Sequence, residues 1–205
     1  MTDADAWHIL RPLLDAGDYL PWNSGAMRPA GLVVVCNEIV YANRTAIVEC
    51  GSGASTVLLA RLLRERGAGS LVAVEHDERW AVRVRELLRA EGLDDFATVL
   101  HAPLTGEPPW YDQRTLEHVP DAVDLLVVDG PPAYEPDDAH RRLPALAFFE
   151  PRLVPGATVI LDDVDRPGER DVLSRWEATT PWRFRTDTDT GVALGARLND
   201  PAGPR

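Results

Sequence analysis

Apolar residues recur at helical spacing over the first 44 positions. From residue 45 onward, short apolar runs alternate with amphipathic stripes. Trp7, Leu10, Leu13 and Leu14 fall on one stripe, which predicts an opening helix. Residues 19–29, rich in Pro, Gly, Asn and Ser, read as a loop. A second helix follows, with Leu32, Val33, Cys36, Ile39 and Val40 on its face and Asn43 as its terminator. Strands are then predicted at 45–50, 70–75, 96–101, 123–129 and 157–161. Between them run helices carrying Val57, Leu58, Leu62 and Leu63; then Trp80, Ala81, Val84, Leu87 and Leu88; then residues 143–149. The run at 123–129 is almost wholly apolar, as expected of a strand buried on both faces. Pro167 suits the first turn of a helix bearing Val172, Leu173 and Trp176. Two last strands, at 182–186 and 191–198, have no full helix between them and predict a hairpin.

Strand–helix units of this kind predict an α/β fold: a doubly wound (Rossmann-like), mostly parallel, seven-stranded sheet with helices on both faces and a C-terminal β-hairpin. Residues 1–44 are expected to form a helical cap packed on the same domain, residues 45–199 the core, and residues 200–205 a frayed tail. The stretch 103–121, with Pro108, Pro109 and Pro120, is a long connection of the length that usually carries function.

Composition narrows the class. A 205-residue chain with 45% hydrophobic residues suits one domain with a full core. Its formal charge of -12 argues against a nucleic-acid partner, whose phosphates call for clustered Lys and Arg. Cys36 and Cys50 cannot build a disulfide framework. The acidic start lacks the apolar core of a secretory leader, and no apolar run reaches the roughly 20 residues of a membrane span. A cytoplasmic protein without membrane contact is the expectation.

Gly51-Ser52-Gly53 follows a strand and opens a helix, where glycine permits a tight turn and close approach of a ligand to backbone N–H groups. Glu49 precedes it at the strand end, suited to a cationic ligand. Glu75 ends the next strand, where an acid can accept both hydroxyls of a ribose. A dinucleotide fold would carry Gly or Ala where Thr56 stands, and Glu49 would repel a pyrophosphate but favour a sulfonium.

On these residues the chain resembles the class I S-adenosylmethionine-dependent methyltransferases. Glu49-x-Gly51-x-Gly53-x-Ser55 is similar to the family's first motif, Glu75 to its ribose-binding acid, and Val-Val-Asp-Gly at 127–130 to its fourth-strand motif. Asp129-Gly-Pro-Pro-Ala-Tyr134 and Leu161-Asp162-Asp163 resemble a bacterial branch near the catechol O-methyltransferase-like enzymes. The resemblance implies that His101, Ala102 and Leu104 line the adenine pocket and that residues 22–27 close over the donor; His76, next to Glu75, is expected to pack against the nucleoside.

Asp129, Asp162 and Asp163 all fall at carboxyl ends of strands, where ligands of such sheets bind. Three carboxylates together require a compensating cation, and Mg²⁺ or a similar divalent ion is one solution. In the resembled enzymes an Asp and an Asp-Asn pair ligate such a metal; here the pair is Asp-Asp. Arg166, or Arg141 and Arg142, could compensate the charge without metal, and Asp162 or Asp163 could cap the following helix. Trp22, Trp110, Tyr111 and Tyr134 are the candidate substrate-lining aromatics, each also suited to plain packing. His140 is a base candidate by position alone.

The sequence thus predicts methyl transfer to a small-molecule acceptor, with a hydroxyl favoured, catalysed by Asp129, Asp162 and Asp163. A catalytically silent cofactor-binding module and an NAD-dependent reductase are the alternatives. A homodimer is the commonest assembly for such a chain.

Overall fold

The computed structural model describes residues 1–198; the tail expected at 200–205 lies outside the described residues. Two helices lead, α1 (Asp3–Leu14) and α2 (Pro29–Tyr41). The alternating part follows as β1 (Ala46–Cys50), α3 (Ala54–Arg66), β2 (Ser70–Glu75), α4 (Glu78–Ala90) and β3 (Ala97–His101). Next come β4 (Leu104–Thr105), β5 (Trp110–Tyr111), the short α5 (Gln113–Leu116) and β6 (Val123–Val128). The chain ends with α6 (Pro144–Phe149), β7 (Leu153–Leu161), α7 (Pro167–Thr179), β8 (Trp182–Asp187) and β9 (Val192–Arg197).

Seven strands form one sheet in the order β3-β2-β1-β6-β7-β9-β8. The five inner and leading strands run parallel, and β9 joins β7 and β8 antiparallel as the closing hairpin. Strand side chains alternate between faces, so two cores result. Ile47, Ala73, Leu125, Val127 and Ile160 pack beneath α1 to α4. Val48, Cys50, Val74, Leu126, Val128 and Leu161 pack against α6, α7 and the segment around β5. The order in which strands are added reverses between β1 and β6, and ligands of such sheets bind at that switch point.

Three local readings shift. In α1 the buried stripe is Ala6, Leu10 and Leu13, and Trp7 is left partly exposed against Trp22. A capping box starts the helix, in which Thr2 and Asp5 bond each other's backbone N–H groups. Val40 in α2 faces solvent. The connection 103–121 contains the two-stranded β4–β5 sheet and α5 rather than open loop. Asn43 does end the second helical segment, in the left-handed region at φ 55°.

The leading segment is bound to the sheet layer by Arg61 of α3. Its fully buried guanidinium pairs with Glu91 at 2.5 Å and donates to the carbonyls of Leu13 at 2.8 Å and Asp18 at 2.9 Å. Among the described residues no helix is long and apolar enough to cross a membrane.

Candidate active site

A cleft of about 280 Å³ opens at the carboxyl ends of β1, β2 and β6. Its floor is the β1–α3 turn. Gly51 sits at φ 97°, a conformation that favours glycine, with its N–H bonded to the Val74 carbonyl at 2.8 Å. Trp80 of α4 donates its indole N–H to the Ser52 carbonyl at 2.7 Å, pinning the turn from the side. Glu75 accepts from Ser52 N–H at 3.1 Å and Ser52 Oγ at 2.9 Å through one oxygen. Its other oxygen accepts from Asp77 N–H at 2.9 Å and lies 2.8 Å from His76 Nδ1.

Glu49 lies behind this turn rather than on its surface. It is 1% exposed and accepts from the hydroxyls of Ser55 at 2.6 Å and Thr56 at 2.5 Å. Burial pushes its carboxyl up to about 7, against the lowering effect of those two hydroxyls. Thr56 also accepts from the Gly53 N–H at 2.9 Å, so Glu49 holds the turn through the side chains it binds.

The acidic rim stands beside this floor. Asp129 follows β6, and Asp162 and Asp163 follow β7. Oxygen atoms from the three lie within 4.8 Å of one another. Burial, then the neighbouring Asp162 charge, pushes Asp129 well up; burial, then Asp163, pushes Asp162 up to about 7. Arg142 reaches the rim from below. Its buried guanidinium lies 3.0 Å from Asp163 and 3.5 Å from Asp129, and donates to the backbone carbonyls of Asp129, Pro131 and Asp162. Arg166 adds a contact to Asp163 at 2.8 Å, and buried Glu169 lies 3.7 Å from Arg142. Arg141 instead pairs with Asp138. The four carboxylates Asp129, Asp162, Asp163 and Glu169 thus face the two guanidiniums of Arg142 and Arg166. The excess negative charge and an all-oxygen donor set fit a hard divalent cation.

Of the predicted site residues, Gly51, Gly53, Ser55, Glu75, His76, Asp129, Tyr111 and Tyr134 line the cleft together. Four others do not. Ala102 is fully buried because its N–H continues the ladder to the Glu75 carbonyl at 2.7 Å, and Leu104 is drawn into pairing with Tyr111. Trp22 turns edge-on to Trp7, with ring centroids 4.7 Å apart, and packs on the core. Trp110 is buried in the second core, edge-on to Tyr111. His101 buttresses the site from outside the cleft, its Nε2 3.2 Å from the His76 carbonyl. His140 pairs with Asp171 at 2.6 Å, also outside the cleft wall.

The 22–27 loop does reach the cleft, through Asn23, Gly25 and Ala26. Pro21, Ala54, Asp77, Trp80 and Pro132 also line it and were not among the predicted site residues. Trp80 had a signal, an indole two residues into a helix that begins beside Glu75, but its helical spacing reads equally as core.

A doubly wound sheet with a glycine turn and an acidic strand end at its switch point defines a nucleoside-cofactor-binding α/β protein. A family model described as a methyltransferase domain matches residues 48–164, more than half of the chain, and the chain belongs to this methyltransferase family. No curated protein matches it by sequence. Among solved structures, it is similar to the methyltransferase PaMTH1 of Podospora anserina, bound to S-adenosylhomocysteine (SAH). TM-score is 0.64 and identity 15%, over 96% of this chain and 88% of that one. It is also similar to a Bacillus cereus O-methyltransferase in complex with SAH, with TM-score 0.61 and 19% identity over 96% and 92%. The Streptomyces achromogenes O-methyltransferase TomG, involved in tomaymycin synthesis, gives TM-score 0.56 and 16% identity over 96% and 99%. At these identities the likeness is one of fold.

Proposed function

We propose that the chain transfers a methyl group from S-adenosylmethionine (SAM) to a hydroxyl of a small-molecule acceptor. The observation that carries this reading is the continuity of one cleft, whose floor is the Gly51–Gly53 turn with Glu75 and whose far wall is Asp129. A donor bound on the floor presents its methyl group toward the acidic rim.

In this reading the turn's backbone N–H groups and Glu75 hold the nucleoside and its amino-acid arm. The ribose hydroxyls take the places that Ser52 Oγ and His76 Nδ1 occupy on the Glu75 carboxylate. Glu49 supplies negative charge behind the turn, which favours a sulfonium over a neutral ligand. The donor's methyl group is already activated, so the protein's work is alignment and removal of the acceptor's proton. The 23–26 segment and Tyr134 face each other across the mouth and orient the acceptor; a Cβ on Gly25 would lie 2.8 Å from the Tyr134 hydroxyl. Asp129, Asp162 and Asp163 would hold a divalent cation, which when bound supplies a Lewis acid that lowers the pKa of a hydroxyl. The buried Arg142 favours a second form of the same reaction, in which guanidinium alone compensates the rim. The net charge of -12 suits an uncharged or cationic small acceptor better than a polyanion.

Incubation with methyl-labelled SAM and a panel of catechols and other phenols tests the reading. Labelled product with equimolar SAH supports it. SAM binding without turnover across the panel would favour a silent cofactor-binding module instead.

A further inference from the structure

Tyr111 lines the cleft wall and carries a buried polar atom that the described residues leave without a partner. The residue is 1% exposed and lines the cleft, yet its hydroxyl has no hydrogen-bond partner among the described residues. A buried hydroxyl of this kind costs about 1–3 kcal/mol unless something pairs with it. Such a group in a ligand cleft is a donor waiting for an acceptor.

Its location decides which ligand it serves. A Cβ built on Gly130 would stand 2.6 Å from the Tyr111 oxygen and 2.9 Å from the Gly51 N–H. The hydroxyl therefore sits where β1 and β6 diverge, beside the glycine turn that forms the cleft floor, and not at the mouth with Tyr134. Gly130 is the residue that makes room for it, since any side chain there would collide with both the phenol and the Gly51 backbone.

The ring cannot readily turn away. Tyr111 pairs with Leu104 across the β4–β5 ladder, and the next residue, Asp112, donates its N–H to the Pro103 carbonyl at 2.9 Å. Trp110 braces the ring edge-on at a centroid distance of 4.9 Å. The hairpin within residues 103–121 thus acts as a mount for one hydroxyl. Trp110's own indole N–H is also without a partner among the described residues, but Trp110 does not line this cleft.

We propose that Tyr111 is a donor-binding residue, not part of the acceptor wall, and that its hydroxyl donates a hydrogen bond to an oxygen of the bound methyl donor. This rests on the reading that the cleft binds SAM. The acceptor oxygen belongs either to the ribose or to the carboxylate of the amino-acid arm, the oxygen-bearing groups that a ligand lying between Glu75 and Asp129 presents.

The test is calorimetric titration of SAH into the wild type and Tyr111→Phe, with the melting temperature of each free protein measured alongside. The variant should bind SAH about tenfold more weakly, the loss expected for one hydrogen bond. Its free form should melt at the same temperature or higher, because the hydroxyl removed had no partner. Weakened adenosine binding as well would place the acceptor on the ribose, and a loss confined to SAH would place it on the carboxylate; either supports the assignment. Equal SAH affinity in both proteins overturns it. So does a variant whose free form melts well below the wild type, since the hydroxyl then has a structural partner. A wild type that fails to bind SAH at all removes the cofactor reading itself, and this assignment with it.

Discussion

Glu49 shows how a single carboxyl links stability to ligand charge. Its value of about 7 in the folded chain stands above its ordinary 4.5, with burial as the largest cause. The folded state therefore holds its proton more tightly than the unfolded state. The associated stability is fully present below about pH 4.5 and is lost as pH rises through about 7. Between pH 5 and pH 8 the wild type should lose more melting temperature than Glu49→Gln, measured in matched buffers. A cationic donor favours the ionised form, so wild-type affinity for SAM should rise through pH 7, and the Gln variant should lack that rise. The acid at this position was legible in the sequence from its place before Gly51. Its retreat behind the turn was not, because that depends on Ser55 and Thr56 turning their hydroxyls inward from the first turn of α3.

Among the elements, the end of α1 and the turn after it are tied to α3 by one buried cation. Arg61 has no exposed surface and joins Glu91 to the carbonyl of Leu13 in the last turn of α1 and to that of Asp18 beyond it. Arg61→Ala leaves the Glu91 carboxylate and these carbonyls without their donor. It should destabilise the chain by about 3–5 kcal/mol in denaturant titration, the range for removing one partner of a buried pair. Tyr134 gives a contrasting prediction at the mouth, where it is 57% exposed and stacked by Arg166. Tyr134→Ala should raise the KM for the acceptor while leaving SAH affinity within about twofold, since it stands away from the donor floor. The long helices and buried strands were legible because their periodicity runs over many residues. The two-residue strands β4 and β5 are too short to show any period, so the mount of Tyr111 could not be read in advance. Trp7 illustrates the converse: the predicted stripe holds at Leu10 and Leu13, but the small Ala6 is buried with them and the large Trp7 packs on Trp22 instead.

At the scale of the whole molecule, the order of strands follows from alternation and right-handed crossovers, which is why the position of the site was legible before its geometry. Asp129 and the adjacent pair Asp162 and Asp163, distant in sequence, converge because two parallel neighbours, β6 and β7, end side by side. What pattern alone could not choose was their counter-charge, since the reach of Arg142 depends on the path of residues 130–142 beneath the rim. Chelation resolves the two forms of the reaction. With a bound divalent cation required, EDTA should abolish turnover and Mg²⁺ should restore it; with Arg142 sufficient, the rate should be unchanged.

The central claim is that one cleft binds the donor on the Gly51–Glu75 floor and transfers its methyl group at the Asp129 rim. The most direct test is methyl transfer from labelled SAM to a phenol panel, run with the wild type and Asp162→Asn and paired with SAH titration of both. Labelled product with equimolar SAH is expected for the wild type, with a rate at least about 100-fold lower for the variant and similar SAH affinity in the two. Turnover that survives Asp162→Asn undiminished would contradict the claim, as would a wild type that binds SAH and methylates no member of the panel.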